Sequence, residues 1–419
     1  MENSMEKKNK LHYGWVMCFV GFVYFFLAMC ILSNCVGLFV KPVSEDFGIS
    51  RQAFSLTTTF YSGAGMIVSI FAGRIIKRFG LRKLLIASSV RVPVLYACYS
   101  VAPVIQVFYV IAFFCGIGGI FLGSLGVSTL LNSWFTEKRG TAIAVAATGS
   151  GIGGIIMNPF IGKLITRYGF RKTYLILAVL MAAVIIPCTV LLVREKPRDM
   201  GLEPYGGLPK TDAGSGEIRG MTMAEAMKSP MLYMLVPVYM IVSASCTCVM
   251  QHTVAYVTDL GYEYSFAAGI ASVVTASLAA GKLIMGAAFD RIGSQKSATI
   301  SLGAFALSFT LYNFAQNLPI LYIATGIVGF GLSFSTVAYS VLVQDIFGKR
   351  DYASIYGKLT VASALGGALG SPLIARVYDS MGSYRLAWTV LAVLAVVNIV
   401  IVNAVFVYKK RHETDTAGA

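Results

Sequence analysis

Gly73-Arg-Ile-Ile-Lys-Arg-Phe-Gly80-Leu-Arg-Lys83 returns in altered form as Gly162-Lys-Leu-Ile-Thr-Arg-Tyr-Gly169-Phe-Arg-Lys172. Two fainter copies follow, Gly286-Ala-Ala-Phe-Asp-Arg-Ile-Gly293 and Ala375-Arg-Val-Tyr-Asp-Ser-Met-Gly382-Ser-Tyr-Arg385. Gly73 and Gly162 stand 89 positions apart, as do Gly286 and Ala375, and 213 positions separate each cross pair. Equal spacing at two levels marks a duplication within a duplication. Each copy follows the second apolar stretch of a unit of three, so the chain reads as four three-helix units paired into two halves. Units with an odd number of spans enter a bilayer in alternating orientation, the inverted-repeat plan of many secondary transporters.

Composition supplies the stretches. Of 419 residues, 57% are hydrophobic and 13% charged, too few charges to cover a water-facing surface of this size. A bilayer core of about 30 Å needs roughly 20 mostly apolar residues per helical span. Runs with few charges extend from Tyr13 to Val40, Gln52 to Gly73, Leu84 past Arg91 to Thr136, Gly140 to Gly162 and Thr173 to Val193. Val101-Ala102-Pro103 divides the longest into two, giving six spans. Six more lie in Ser229 to Thr258, Tyr264 to Phe289 across Lys282, Ser297 to Gln344 divided at Gln316-Asn317-Leu318-Pro319, Leu359 to Ala375 and Leu386 to Tyr408. The expected fold is an all-α membrane protein of twelve transmembrane helices, with six-helix halves at 1–198 and 229–419 and a linker at 199–228. The basic start precedes a span too long for a signal peptide and without a small-residue cleavage site, so that helix is expected to persist. All eight cysteines fall in apolar spans, where free thiols act as small hydrophobes. No disulfide or zinc spacing is readable, and neither metal nor cofactor is expected.

A net charge of +15 raises the question of nucleic acid, but the basic residues are dispersed among short loops. With the N-terminus inside, the cytoplasmic side receives Lys7, Lys8 and Lys10, then Arg74 to Lys83, Lys138 and Arg139, the linker, Arg291 and Lys296, Lys349 and Arg350, and Lys409 to Arg411. That bias predicts a multi-pass inner-membrane protein with both termini cytoplasmic. One outer loop dissents, carrying Lys163, Arg167, Arg171 and Lys172; it is a copy of the cytoplasmic one. Within the linker, Met221 to Met227 is either a short surface helix or part of a plain tether.

The Gly-x-x-x-Asp-Arg-x-Gly-x-Arg-Lys pattern resembles the loop signature of the major facilitator superfamily. Tyr13-Gly14-Trp15, Phe39-Val40-Lys41-Pro42, Trp134-Phe135 with Lys138-Arg139-Gly140, Asp345-Ile346-Phe347-Gly348, Tyr356-Gly357 and Asp379-x-x-Gly382-x-Tyr384 look like its monocarboxylate transporter and oxalate:formate antiporter branch. The resemblance implies the major facilitator fold, alternating access, and a conformational role for the loop residues Gly73, Arg78, Gly80, Arg82, Asp290, Arg291 and Gly293. Lys77 departs from it, standing where the signature has Asp. Ser124, Leu332 and Thr336 stand where small-dicarboxylate members close their pocket with aromatic rings, which argues against oxalate. Leu278 replaces an aspartate found in proton-coupled animal members.

Ionisable groups at membrane depth are expensive and mark function. Two strongly basic ones, Arg91 and Lys282, fall inside spans, and no carboxylate does; fixed positive charge alone favours an anion. Lys282 lies eight residues before Asp290, about 12 Å along a helix at ~1.5 Å per residue. In the resembled family an arginine that binds the substrate carboxylate occupies its place; the other reading is a side chain snorkelling to the interface. Arg91, just before Pro93, is a coupling candidate or a snorkelling residue. His252, beside Gln251, is a candidate for proton coupling or a hydrogen-bonded residue at the mouth. Asn34, Ser124, Asn132, Ser335, Thr336 and Tyr339 are candidates to orient substrate or to pack helices. Gly149, Gly151, Gly153 and Gly154, with Gly366, Gly367 and Gly370, are expected at the seam between halves.

The function expected is secondary transport of a small organic anion, a monocarboxylate, by symport with protons or by exchange, in a monomer that contacts lipid and no nucleic acid. The alternatives are efflux of a drug-like compound, against which the absence of an embedded carboxylate counts for cations, and a non-transporting sensor. Neither an acid/base cluster nor a phosphate-binding loop supports an enzyme.

Overall fold

The computed structural model describes residues 12–207, 220–336, 338–348 and 350–417, without the side chains at 70, 73, 139, 140, 290, 340, 353 and 412–417. The first span comprises α1 (Tyr13–Val23), a π-helical continuation over Tyr24–Asn34, and α2 (Gly37–Phe47). The second and third are α3 (Arg51–Phe79) and α4 (Leu81–Cys98). The fourth joins α5 (Ile105–Leu122) to α6 (Ser124–Trp134), and α7 (Arg139–Pro187) holds the fifth and sixth. After the short α8 (Met223–Lys228) come α9 (Pro230–Asp259), α10 (Tyr264–Ile292) and α11 (Ser294–Tyr312). The tenth span joins α12 (Leu318–Leu332) to α13 (Ala338–Phe347); α14 (Tyr352–Met381) and α15 (Arg385–Ala417) complete the twelve.

The repeated loop now has a physical cause. Gly80, Gly169, Gly293 and Gly382, which hold the same place in all four copies, have φ of 79°, 76°, 82° and 66°. A side chain at such a backbone is strained and glycine is not, so each marks the tight turn from a unit's second helix to its third. Gly169 in this conformation divides α7 into two helices.

Among the described residues, eight helices are apolar and long enough to cross a membrane on composition alone, α7 counting once. The other three spans are α3, whose stretch 54–71 carries no charged residue, α4 and α11. Val94, Val179, Leu283, Leu373 and Val400 are all more than half exposed on its outside, as lipid-facing residues must be.

In the C-terminal half α9 packs on α14, α10 on α12 and α11 on α15, while α4, α5 and α1 with its continuation pack against α3 and α7 in the other. The seam forms where α3 meets α14, α7 meets α10 and α2 meets α9. Only part of the glycine expectation holds there. A Cβ on Gly151 or Gly154 would meet Ala279 or Thr275 across the seam, but on Gly149 and Gly153 it would meet the Phe22 and Phe26 carbonyls within one half. Gly366 and Gly370 press on Met240 and Ala244 of α9, also within a half. These four serve packing inside a half, because helix neighbours there approach as closely as those across the seam.

The linker is docked at both described ends. Tyr205 N–H donates to Trp134 O at 2.8 Å and Trp134 Nε1 to Arg194 O at 2.9 Å. On the far side of the undescribed stretch, Met221 N–H donates to Phe347 O at 2.7 Å and Met223 N–H to Asp351 Oδ2 at 2.7 Å. The short helix anticipated at 221–227 is α8, opened by a Thr222–Glu225 capping box. Accepting the Thr222 backbone N–H and hydroxyl bond holds the exposed Glu225 carboxyl below the usual carboxylate range.

Candidate functional site

Three spans are interrupted halfway, and the interruptions converge. The first breaks between Asn34 and Gly37, the fourth at Gly123, and the tenth through a single 3-10 turn at Ser333–Ser335. Ser33, Asn34 and Val36, then Ser124, then Ser335 and Thr336 line one cavity of about 350 Å³ between the halves. A broken helix is tolerated at membrane depth where the freed backbone groups face such a cavity or protein.

Lys282 reaches this cavity from α10, together with Leu278, Cys246, Thr247 and Gln251 of the same half. Among the described residues its ammonium has no hydrogen bond or ion pair, and it is the only lining side chain with a full charge. Among the described residues no Asp or Glu lines the cavity. Of the predicted substrate residues, Lys282, Asn34, Ser124 and Thr336 therefore share one space; Asn34 is partly committed, its Nδ2 donating to Ser150 O at 3.1 Å.

Tyr339 does not join them. It stacks on Tyr239 at 3.8 Å between centroids, and each hydroxyl donates to the other residue's carbonyl, at 2.6 and 2.7 Å. A buried phenol with a partner of its own is a tie between α9 and α13. Arg91 also stays outside the lining. Its guanidinium lies against Gly118, where an ideal Cβ would sit 3.4 Å from Nη2, and its Nε has no partner among the described residues. Asn132 is exposed away from the cavity.

His252 is not at a mouth. It is fully buried, with Nδ1 3.1 Å from the Tyr384 hydroxyl and Nε2 2.9 Å from Ser371 Oγ. Its neighbour Gln251 faces the cavity and bonds both Ser371 and, across the seam, Thr58. One helical step separates a residue packed among α14 and α15 from one facing the other half.

The sequence reading missed the strongest contact between halves. Arg51, at the start of α3, grips Asp259 at the end of α9 with both terminal nitrogens, Nη2 to Oδ1 at 2.8 Å. Nη1 also donates to the Tyr384 hydroxyl at 3.1 Å, and the guanidinium lies 4.0 Å over the Tyr378 ring. The Asp379 carboxylate takes the backbone N–H of Arg51 at 3.2 Å and of Gln52 at 3.0 Å. An anion from one half thus closes the positive end of a helix in the other. Lys41 adds a contact to Asp259 at 3.9 Å, and Tyr264 donates to Leu38 O. All of this lies at the face opposite to where the chain enters at Tyr13. The signals were present: an Arg just outside an apolar run, and the motif residues Asp379 and Tyr384.

At the entry face the loop motif acts within each half. Glu195 Oε2 accepts the backbone N–H of Arg82 at 3.2 Å, and Ser294 donates to Asp345. Arg78 lies over the Phe79 ring at 5.5 Å, and Arg291 is exposed. Gly80 and Gly293 are the turn glycines. Gly73 lies within α3, and the Asp290 side chain is outside the described part of the structure.

A twelve-helix bundle of inverted repeats around a central cavity is the architecture of many secondary transporters. The family model of the Major Facilitator Superfamily matches residues 17–284 and 235–419, and the chain belongs to that superfamily. An oxalate:formate antiporter of Oxalobacter formigenes is 24% identical over 381 residues, 84% of each chain. Monocarboxylate transporter 13 of Rattus norvegicus is 26% identical over 265 residues, 62% of this chain and 58% of that protein. An uncharacterized MFS-type transporter, YcxA of Bacillus subtilis, is 27% identical over 186 residues, 44% of this chain and 45% of that one. The structure of the nucleoside transporter NupG superposes with a TM-score of 0.75 at 13% identity, over 94% of this chain and 99% of that one. The last shows the fold alone; the first two are likenesses at low identity to transporters of the kind that the sequence motifs resemble.

Proposed function

We propose that this transporter carries a small organic anion, a monocarboxylate, and that Lys282 binds its carboxylate. The observation that carries the reading is the unpaired ammonium in a cavity with no lining carboxylate. A cation taken from water without a partner is costly, and an anionic ligand offsets that cost. Two relatives named for carboxylate transport support the same class. Lysine in place of an arginine fork gives a point charge that is less strict about geometry.

The cycle is alternating access by the halves at 1–198 and 229–419, joined through 199–228. The bias of basic residues supports a Tyr13 face in the cytoplasm of an inner-membrane protein and an Arg51 clasp on the outside. The state described is then closed outward. Asn34, Ser124 and Thr336 orient the anion; the loop motif passes motion between helices. With Leu278 where a carboxylate relay would stand, the reading favours exchange, or proton movement through Lys282, with His252 and Arg91 as secondary coupling candidates.

Uptake of radiolabelled monocarboxylates into vesicles of reconstituted protein tests this. Saturable uptake that disappears in Lys282→Gln is expected; full uptake in that variant, or none with any carboxylate in the wild type, would overturn the assignment.

A further inference from the structure

The cavity does not end at Lys282. It extends into the N-terminal half, where Tyr96, Tyr99 and Tyr174 line it with Phe39, Phe54 and Phe108. The rings form one wall: Phe39 stacks on Tyr174 at 4.2 Å, Tyr99 lies 4.9 Å from Tyr174, and Tyr96 meets Tyr174 edge-on at 5.1 Å. The three tyrosines are 3%, 8% and 4% exposed, so they are core residues that face an internal space.

Their hydroxyls are unusual. A buried tyrosine normally finds a hydrogen-bond partner for its O–H, as Tyr239, Tyr256, Tyr264 and Tyr339 do. Among the described residues none of Tyr96, Tyr99 and Tyr174 has one. Nor are their oxygens among the fully enclosed unpartnered groups, as the hydroxyl of Tyr312 is, and all three residues line the cavity. Three unmet phenol groups in one aromatic recess make a polar demand that something entering the cavity has to meet.

From this recess we infer the substrate class: a monocarboxylate with an aromatic or cyclic body that bears a hydroxyl or carbonyl group distant from the carboxylate. The inference rests on the anion site proposed above. Lys282 of the C-terminal half holds the carboxylate, the ring packs against the aromatic wall by stacking and edge contact, and the phenols bond the distal oxygen. A cavity of about 350 Å³ lies in the range of sites for whole organic molecules, roughly 300–1,000 Å³; an acetate-sized anion would leave most of it to water. A ligand held at both ends spans the two halves, so its binding is coupled to their closure. Among the described residues Lys282 is the only charged side chain that lines the cavity, so a second acid group would enter without a cation to pair with and is disfavoured.

Titration calorimetry of the purified full chain with acetate, phenylacetate and 4-hydroxyphenylacetate tests it. Phenylacetate should bind roughly 10-fold more tightly than acetate through the added ring burial, and the hydroxylated acid a further 3- to 10-fold, about one neutral hydrogen bond. The Tyr96→Phe/Tyr99→Phe/Tyr174→Phe triple variant should erase the last step and keep the first. Ala112→Leu, which fills the recess from α5, should remove the advantage of both aromatic acids and leave acetate unchanged. If acetate binds as tightly as the aromatic acids, through Lys282, the inference fails while the anion site stands. If no acid binds, or if Lys282→Gln binds all three normally, the anion site fails and the inference with it.

Discussion

Arg51 and Lys282 are both cations at the seam between halves, and their surroundings are opposite. Arg51 has a carboxylate fork from Asp259, a hydroxyl from Tyr384 and the Tyr378 ring. Lys282 has nothing that the described residues supply. A compensated charge of this kind fixes two surfaces together, while an uncompensated one lining a cavity is a demand for a ligand. The difference separates the part of the seam that holds a conformation from the part that waits for cargo.

The comparison is broken most directly by exchanging charge chemistry at the two sites. Lys282→Gln should cut carboxylate transport by roughly 100-fold or more, the loss of a charged hydrogen bond with its Coulomb attraction. Lys282→Arg should keep a measurable fraction, read as initial uptake rates; a dead Arg variant beside an active Gln variant would reverse the logic.

Arg51→Ala should act on conformation and not on the ligand. Removing one partner of a buried pair costs about 3–5 kcal/mol, and at 10% and 22% side-chain exposure this pair belongs at or below the low end. The clasped state should lose population, so a cysteine placed near Asp259 should react faster with an impermeant thiol reagent. Carboxylate affinity should change far less than in Lys282→Gln. Unchanged labelling would show that the clasp does not hold the face shut.

Gly37→Ala sharpens the same contrast sterically. Its Cβ would fall 2.5 Å from Met250 O and 2.7 Å from Gln251 O, so α2 must move off α9. Overpacking of this kind costs roughly 1–3 kcal/mol, and the variant should resemble Arg51→Ala in labelling while showing a smaller loss of transport. His252→Gln should do least. The residue is enclosed by Tyr384 and Ser371 and does not line the cavity, so uptake should stay within about threefold of wild type, near the net value of one neutral hydrogen bond. A loss comparable to that of Lys282→Gln would make the histidine an essential part of the transport path and not a secondary coupling candidate.

Much of this was legible in the sequence, for reasons that differ by residue. The four turn glycines show because only glycine suits their φ and because they repeat at constant spacing. Lys282 shows because a charge within an apolar run is conspicuous. Arg51 was passed over because a charge next to the boundary of a run looks like an ordinary loop residue; its partners lie 208 and 328 positions away, a pairing that single-sequence periodicity does not contain. Tyr339 was assigned to the cavity, and His252 to coupling or to the mouth, by helix and depth, but which face of a helix turns inward is decided by packing partners. The phenols of the aromatic recess were invisible for the opposite reason: in a chain with 22 tyrosines, only the structure shows which hydroxyls lack a partner.

The measurement closest to the central claim is equilibrium binding of a monocarboxylate to purified wild type and Lys282→Gln, with folding of both checked by thermal unfolding. Saturable binding by the wild type, lost in the folded Gln variant and partly restored in Lys282→Arg, is the result expected. Equal affinity in wild type and Lys282→Gln would contradict the claim and remove Lys282 as the anion site.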